Sequence, residues 1–377
     1  MAKPGSIPTA RRIRDLEQLN DVDSILATAD LDFGEGFHTT ATRGDTQFTW
    51  DYESSREPLE RLYEKAKTSQ WNASTDLDWT IDVDIEKVSR VFTGSTGPLR
   101  TMMGDIPGSG VGRWTDKEWS EFGIEVMKWR LSQFLHGEQG ALVCTAKIVE
   151  TVPWIDAKYY ASTQVVDEAR HVEVFSRYLR EKLDGEYTVN AELQLLIDDV
   201  LGDDRWDITY LGMQIMIEGL ALASFGFTHA QTDEPLLKKL LRYVMADEAR
   251  HVAFGVLSLK EYYEGLDGTE IRDRQEFALE AALRMRDRMF MIQVWEQMGV
   301  PRAVVGEFLT RLRATGVWFQ GPLFSKIVPN CKKLGLLDAG DGWLREKFTE
   351  IGVIEYENAP DTSIEYELFD AVSSDVA

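Results

Sequence analysis

Asp167–His171, with the sequence DEARH, is the stretch that decides the fold, because it recurs unchanged 80 residues later as Asp247–His251. Each copy also has a glutamate 30 residues upstream of its own glutamate: Glu138 for the first copy and Glu218 for the second. Residues three apart on a helix lie on one face, so the Glu and His of each copy can reach the same ion. The repeat therefore predicts two helical half-sites for metal, related by duplication.

The predicted metal ligands are four carboxylates and two imidazoles: Glu138, Glu168, His171, Glu218, Glu248 and His251. Hard oxygen donors with one imidazole per ion suit iron or manganese. One Glu from each of two helices and Glu-x-x-His from each of two others is the ligand pattern of ferritin-like bundles. We predict an all-α protein with a ferritin-like four-helix bundle core, additional helices and an irregular N-terminal region. The expected cofactor is two Fe ions, with a Mn/Fe pair as the alternative.

Two further residues of each copy predict support for these ligands. Asp167 and Asp247 can accept the free N–H of a ligating imidazole, on their own or the facing helix, and so fix its tautomer. Arg170 and Arg250 can hold those aspartates and offset the negative charge of an acidic site.

The doubled motif resembles the di-iron carboxylate oxidoreductases of the ferritin-like superfamily. It looks most like the hydroxylases of bacterial multicomponent monooxygenases. Similar versions occur in acyl-carrier-protein desaturases and benzoyl-CoA epoxidases, and looser ones in ribonucleotide reductase small subunits. The resemblance covers about residues 116–265. It implies O₂-dependent oxidation of a substrate at a pair of metal ions.

Three positions separate the chain from these relatives. Phe175 stands four residues after His171, where most ribonucleotide reductase small subunits have a radical tyrosine, and Glu138 replaces their common aspartate. Leu222 stands four residues after Glu218, where many of the hydroxylases have threonine. A self-contained relative and one subunit of a larger complex are equally compatible with these differences.

The composition narrows the function classes. A net charge of −23 is typical of a protein that repels nucleic acid and anionic membranes. The chain has no run of 18 apolar residues, so the sequence predicts no transmembrane helix. The first residues lack the apolar core of a signal peptide. Two cysteines, Cys144 and Cys331, suit neither a disulfide framework nor an iron–sulfur cluster. We therefore expect a reduced, cytoplasmic compartment. A homodimer is a separate expectation, which the composition does not address.

The pattern along the chain predicts five segments. They are a flexible arm at 1–25, an irregular N-terminal wrap at 26–113, the di-iron bundle at 114–300, C-terminal helices at 301–354 and an acidic tail at 355–377. The arm contains the basic cluster Arg11, Arg12 and Arg14, and the tail contains Tyr366 and Phe369. Helical periodicity in the wrap is clear only around 58–68, and packing is the expected role of its tryptophans, including Trp71.

The bundle segment itself predicts four long helices, at about 115–152, 154–183, 206–231 and 233–265. A capping box at Thr115 opens the first, and Pro153 ends it. A short helix at about 191–201 joins the two halves, and another strongly helical stretch runs over 269–299. Two hairpins of long helices are what a duplication of the half-site requires.

Residues one and two turns along from the ligands predict a substrate pocket: Ala141, Leu142, Thr145, Phe175, Ala221, Leu222 and Phe225. An apolar pocket would suit a mainly apolar small molecule and would protect reactive oxygen species from water. His136 and His229 are not at ligand spacing and are expected to be structural.

The predicted function is therefore an O₂-dependent di-iron oxidoreductase of the monooxygenase or hydroxylase type. No flavin, NAD or iron–sulfur motif is visible, so its electrons should come from a separate reductase or ferredoxin. Three rivals remain: a radical-generating subunit like that of ribonucleotide reductase, a ferroxidase or iron-storage protein, and a helical interaction protein without stoichiometric iron.

Overall fold

The computed structural model describes residues 21–34, 36–93, 97–314 and 324–360. These residues form helices and connecting loops without any strand, which confirms the predicted all-α class. The α-helices are α1 (Val22–Ala29), α2 (Glu57–Thr68), α3 (Ile85–Thr93), α4 (Gly97–Gly104), α5 (Asp116–Thr151), α6 (Ile155–Tyr178), α7 (Ala191–Gly202), α8 (Trp206–Tyr210), α9 (Glu218–Gln231), α10 (Pro235–Glu264), α11 (Gly268–Asp287), α12 (Ile292–Gln297), α13 (Arg302–Ala314), α14 (Phe324–Lys333) and α15 (Trp343–Glu350).

Helices α5, α6, α10 and the continuous helix that ends in α9 form the four-helix bundle that the duplicated motif predicted. Helix α5 begins at the predicted capping box: Thr115 accepts from the backbone N–H of Glu118, whose carboxylate accepts from the backbone N–H of Thr115. Pro153 follows the end of α5 and separates it from α6. Each predicted ligand lies in one of these elements, so their packing determines where the six side chains meet.

The third bundle helix contains a π-helical stretch that its sequence pattern did not predict. Between α8 and α9 the chain forms a π-helix at Leu211–Ile217, and Glu218 follows it directly. A π-turn widens the helix by one residue and is frequent at functional sites. Glu218 therefore lies where the helix returns from π-helical to α-helical geometry.

The same helix, Trp206–Gln231, is the one described element long and apolar enough to cross a membrane by length and composition. Of its most apolar stretch, 89% is buried inside the protein. The apolar character of this helix is therefore accounted for by its place in the bundle core.

Two regions differ from the expectations drawn from periodicity. The predicted helix over 269–299 is interrupted, because Met291 adopts a left-handed conformation (φ 52°) between a 3₁₀ turn at Arg288–Phe290 and α12. The N-terminal wrap contains α3 and α4 besides the predicted helix at α2. The predicted features Arg11, Arg12, Arg14, Tyr366 and Phe369 lie outside the described residues.

Gly255 on α10 lies where the bundle has no room for a side chain. A Cβ added there would be 2.6 Å from the Cβ of Gln214, which belongs to the π-helical stretch and cannot move without its backbone. We predict that Gly255→Ala lowers the free energy of unfolding by about 1–3 kcal/mol, since overpacking forces backbone shifts. Chemical denaturation measures this loss.

Gly140→Ala on α5 is the matched control. Its added Cβ would meet the far end of Ile197, 2.5 Å from Cδ1, and that side chain can rotate away. The replacement also favours the helical conformation, so its effect should be below about 1 kcal/mol. Equal losses from the two alanines would contradict the close approach at Gly255.

A buried ion pair joins α7 to α11 outside the predicted site. Arg284 Nη1 donates to Glu192 Oε2 at 2.9 Å, and both side chains are nearly buried. Burial raises the pKa of Glu192 to about 7, although the charge of Arg284 acts in the opposite direction. The free-energy cost of desolvating the carboxylate is therefore larger than the stabilisation that one guanidinium provides.

This raised pKa predicts a pH dependence of stability. Between pH 4.5 and pH 7 the folded state binds a proton at Glu192 more tightly than the unfolded chain, so the contribution of Glu192 to stability decreases as pH rises. Glu192→Gln removes this decrease. The free energy of unfolding of the variant relative to wild type should therefore rise by about 2–3 kcal/mol across that window.

Denaturant titrations at several pH values measure this difference. Glu276→Gln, an exposed carboxylate on α11, is the surface control. A variant-minus-wild-type difference that is flat between pH 4.5 and pH 7 would contradict the raised pKa of Glu192.

Candidate metal centre

Four bundle helices bring the six predicted ligands together at the centre of the protein. Glu138 comes from α5, Glu168 and His171 from α6, Glu218 from the start of α9, and Glu248 and His251 from α10. All six side chains are buried, and the largest exposed fraction is 4%, at Glu138. The set thus has the arrangement that the duplicated motif predicts, with each Glu-x-x-His unit on its own helix.

The donor atoms form two overlapping groups. Glu138, Glu168, His171 and Glu248 make one group, and Glu168, Glu218 and His251 make the other. Within each group the possible ligand atoms all lie within 4.8 Å of one another. A shared carboxylate is what two neighbouring ions require.

Glu168 has the geometry of that shared carboxylate. Its Oε2 lies 3.2 Å from Nδ1 of His171, and its Oε1 lies 3.0 Å from Nδ1 of His251. Each oxygen therefore faces a different half-site. Glu248 is placed in a similar way, because its Oε1 lies 3.1 Å from Nδ1 of His171 and 3.6 Å from Nδ1 of His251.

The other nitrogen of each imidazole faces an aspartate on the opposite helix. His171 Nε2 lies 3.2 Å from Asp247 Oδ2, and His251 Nε2 lies 3.3 Å from Asp167 Oδ2. An Nε2–H that donates to aspartate leaves Nδ1 unprotonated and directed at the carboxylate cluster, as a metal ligand must be. Arg170 pairs with Asp167 and Arg250 pairs with Asp247, in the positions proposed from the sequence.

Several donor atoms of the cluster have no hydrogen-bond partner among the described residues. They are Glu218 Oε2, both oxygens of Glu248, and Nδ1 of His251. His251 Nδ1 lies 3.0 Å from a Glu168 oxygen, yet the two groups are not aligned for a hydrogen bond. Buried polar atoms without partners are rare in folded proteins and call for an ion or water. The donor set and its unpartnered atoms therefore fit a pair of metal ions.

The shifted pKa values of the cluster residues also fit a metal site. Burial, followed by the charge of Glu248, raises the pKa of Glu138 and that of Glu218 well above the usual value. Burial opposes charge on Glu168 too, but the neighbouring imidazoles outweigh it and lower its pKa. The surrounding carboxylates raise the pKa of His171 and His251 despite burial. Protons thus balance the charge in the absence of metal, and metal binding would displace them.

Three supporting residues were not identified from the sequence. Gln164 donates from Nε2 to Glu168 Oε1 at 3.0 Å and to Glu218 Oε1 at 2.9 Å. Its position four residues before Glu168, on the same helical face, was the available signal. Trp71, which we expected to serve packing, also donates from Nε1 to Asp247 Oδ2 at 2.7 Å. Gln70 donates to Asp167 at 3.3 Å and accepts from Arg170.

The predicted substrate-pocket residues divide into two groups. Ala141 and Ala221 line a cavity of about 20 Å³ that also touches Glu138, Glu218 and Glu248. The remaining residues do not line this cavity: Leu142, Thr145, Phe175, Leu222 and Phe225. Phe175 and Phe225 support its wall, because both rings contact Phe134, which lines it.

The remaining histidines have partners or positions away from the cluster. His136 Nε2 lies 2.8 Å from the backbone oxygen of Tyr187, and His38 Nε2 lies 3.1 Å from Asp198 Oδ2. His229 is near the C-terminal end of α9. None of the three is part of a ligand group in the described chain.

Comparison with known proteins gave matches among solved structures alone. No protein-family model matches the chain. No curated protein matches it either. The chain is similar to variants of R2-like ligand-binding oxidase with a reconstituted Mn/Fe cofactor. An aerobically reconstituted variant is 17% identical, with a TM-score of 0.45, over 70% of this chain and 92% of that chain. An anaerobically reconstituted one is 17% identical, with a TM-score of 0.46, over 71% and 93%.

Replacement of an aspartate that orients an imidazole tests the inferred ligand geometry. Asp247→Asn should weaken iron binding by about 10- to 100-fold, because the uncharged amide oxygen of asparagine accepts the imidazole N–H less strongly than a carboxylate does. Competition with a chromophoric chelator measures the affinity, and circular dichroism verifies that the helices remain.

Asp198→Asn is the matched control, since Asp198 also pairs with a histidine but lies outside the ligand groups. It should bind iron as wild type does. Equal affinities for Asp247→Asn and Asp198→Asn would contradict the role of Asp247 at the metal centre.

Proposed function

We propose that this protein is an O₂-dependent oxidoreductase with two non-haem iron ions, of the monooxygenase or hydroxylase type. The observation that supports this most directly is the position of Glu168, whose two oxygens face different imidazoles at 3.2 and 3.0 Å. A carboxylate shared between two buried ligand groups suits a pair of ions and has no evident purpose in a simple helical core. The six ligands of the proposal are those predicted from the sequence.

The ions would supply the reduction of O₂ when bound, and the protein supplies position, charge and exclusion of water. Glu138 would serve the half-site of His171 and Glu218 that of His251, while Glu168 and Glu248 lie close to both imidazoles and could serve either. Asp167 and Asp247 hold the imidazole protons at Nε2, so that each Nδ1 stays directed at the site. Gln164 holds Glu168 and Glu218 in register through its two donated hydrogen bonds.

The cavity beside the carboxylates supports a mainly apolar small-molecule substrate. Its walls carry Phe134, Ala141, Ile217, Leu220 and Ala221, and its floor is formed by three of the proposed ligands. A volume of about 20 Å³ holds one or two water-sized molecules, so a larger substrate requires the walls to open.

The proposed cofactor and partners follow from the same site. Two Fe ions are the expected cofactor, with a Mn/Fe pair as the alternative, because the donor set suits both. Electrons would come from a separate reductase or ferredoxin. We further propose that the protein acts as a cytoplasmic homodimer without nucleic-acid or membrane partners, in keeping with its net charge of −23.

A second candidate is a radical-generating subunit, and Tyr160 is the observation that favours it. Its hydroxyl is fully buried and has no hydrogen-bond partner in the described chain. Its ring lies 4.4 Å from that of Phe254, three residues after His251. Against this candidate, Phe175 occupies the position where the radical tyrosine is expected. Electron paramagnetic resonance separates the two, because a persistent tyrosyl signal without substrate oxidation favours the radical subunit.

Oxygen consumption by the iron-loaded, chemically reduced protein tests the proposal. We expect uptake of about one O₂ per pair of irons in a single turnover, with no further oxidation of added Fe(II). Glu168→Ala should abolish the uptake, since the replacement removes the carboxylate that faces both half-sites. Glu173→Ala, at an exposed position on the same helix, is the control and should react as wild type does.

Three results would contradict the proposed function. If added Fe(II) continues to be oxidised well beyond two ions per chain, the protein is a ferroxidase. If the reduced protein consumes no O₂ above the buffer rate, or purifies without binding iron at all, the bundle serves another purpose.

A further inference from the structure

Arg288 is a buried cation that the metal centre does not explain. It lies in the 3₁₀ turn after α11, and 5% of its surface is exposed. Its Nε has no hydrogen-bond partner, and Nη1 makes a weak contact of 3.6 Å with the sulfur of Met285. No carboxylate of the described residues forms an ion pair with it. A buried charge without a partner is strongly destabilising, so its presence calls for a ligand.

Neighbouring arginines show how unusual this is. Arg284 pairs with Glu192 at 2.9 Å and with Glu280 at 3.1 Å. Arg286 pairs with Asp287 at 2.6 Å, so that aspartate is already engaged. Burial lowers the pKa of Arg288 to about 10, with no opposing charge to raise it. The chain thus neutralises two of three closely spaced arginines and leaves the third uncompensated.

Arg288 lines the cavity that reaches the proposed metal ligands. The same cavity is also lined by Glu138, Glu218 and Glu248 and by apolar side chains that include Phe134, Ile217 and Ala221. A cationic group and three of the proposed metal ligands therefore border one small apolar space.

Arg288 is not needed to balance the charge of the metal centre. The four proposed carboxylate ligands would balance two divalent ions, and Asp167 and Asp247 are balanced by Arg170 and Arg250. The positive charge of Arg288 consequently remains available to a molecule that enters the cavity.

We propose that Arg288 binds the carboxylate of an organic acid, so that the substrate of this enzyme is an anion with an apolar body that extends from Arg288 towards the metal ligands. This inference rests on the proposed function and names its substrate class. A guanidinium presents paired N–H donors that match the two oxygens of a carboxylate, which fixes orientation as well as charge. The walls formed by Phe134, Ile217 and Ala221 would contact the body of the acid.

Binding of matched acids and amides tests the proposal. The probes are acetate, butanoate and hexanoate with the corresponding amides, titrated calorimetrically into the anaerobic iron-loaded protein. At least one acid should bind about 10- to 100-fold more tightly than its amide, because it gains charge-assisted hydrogen bonds. Arg288→Met should remove this preference, and Arg288→Lys should retain part of it.

Thermal stability gives an independent readout that a structural arginine would not produce. Arg288→Met replaces an unpaired buried charge by an apolar side chain of similar length, so its Tm should rise by a few degrees. Arg284→Met is the matched control: it leaves Glu192 buried without its partner and should lower Tm. A lower Tm for Arg288→Met would show that Arg288 holds the fold together and would overturn the proposal.

The binding experiment can also fail in ways that are distinct from failure of the proposed function. If no acid binds, or acid and amide bind equally, Arg288 is not an anion site. If acid binding is lost on metal removal and unchanged in Arg288→Met, the acid is a metal ligand, which also overturns the proposal. Iron stoichiometry is measured on the same samples and reports separately on the metal centre. Acid binding at Arg288, repeated with metal-free protein, does not depend on the metal centre.

Discussion

The burial of four carboxylates and two imidazoles at one point in the bundle is the constraint on which the structure depends. Isolated buried charges are too unfavourable to persist, so such a cluster must be neutralised by protons or by metal. The raised pKa values of Glu138 and Glu218 show the first solution in the metal-free protein. Two divalent ions provide the second, and they would also satisfy the donor atoms that lack partners. Stability and metal binding are therefore coupled in this protein.

The N-terminal region takes part in the same coupling. Trp71 and Gln70 follow α2 and hydrogen-bond to Asp247 and Asp167, the aspartates that face the two imidazoles. Arg170 lies over the ring of Trp71 at 5.1 Å and pairs with Asp167. The N-terminal wrap thus hydrogen-bonds to the aspartate of each Asp–His pair. The orientation of the imidazoles therefore depends on residues far from the bundle in sequence.

The sequence predicted the fold and the composition of the cluster because duplication leaves a signal that periodicity alone does not. Two copies of Glu-x-x-His with equally spaced upstream glutamates define four helices and the faces that they share. Gln164 was within reach of the same reasoning, since it precedes Glu168 by one turn. Gln70 and Trp71 were not, because their contacts join residues 97 and 176 positions apart and no local pattern indicates them.

Local breaks in helical geometry were the other features that the hydrophobic sequence pattern did not predict. The π-helix at Leu211–Ile217 and the left-handed Met291 break helices whose apolar periodicity continues through them. The π-helix contains Gly212, whereas the break at Met291 occurs without glycine or proline. Each adjoins the proposed chemistry: the π-helix directly precedes Glu218, and Met291 ends the turn that holds Arg288. Whether the six residues ligate metal is still a prediction.

X-ray absorption spectroscopy at the iron edge, on wild-type protein loaded with iron under anaerobic conditions, tests the central claim most directly. The shared position of Glu168 predicts two irons per chain, each with oxygen and nitrogen neighbours and with a second iron at about 3–4 Å. A single iron per chain, or irons without a metal neighbour at that distance, would contradict the dimetal site.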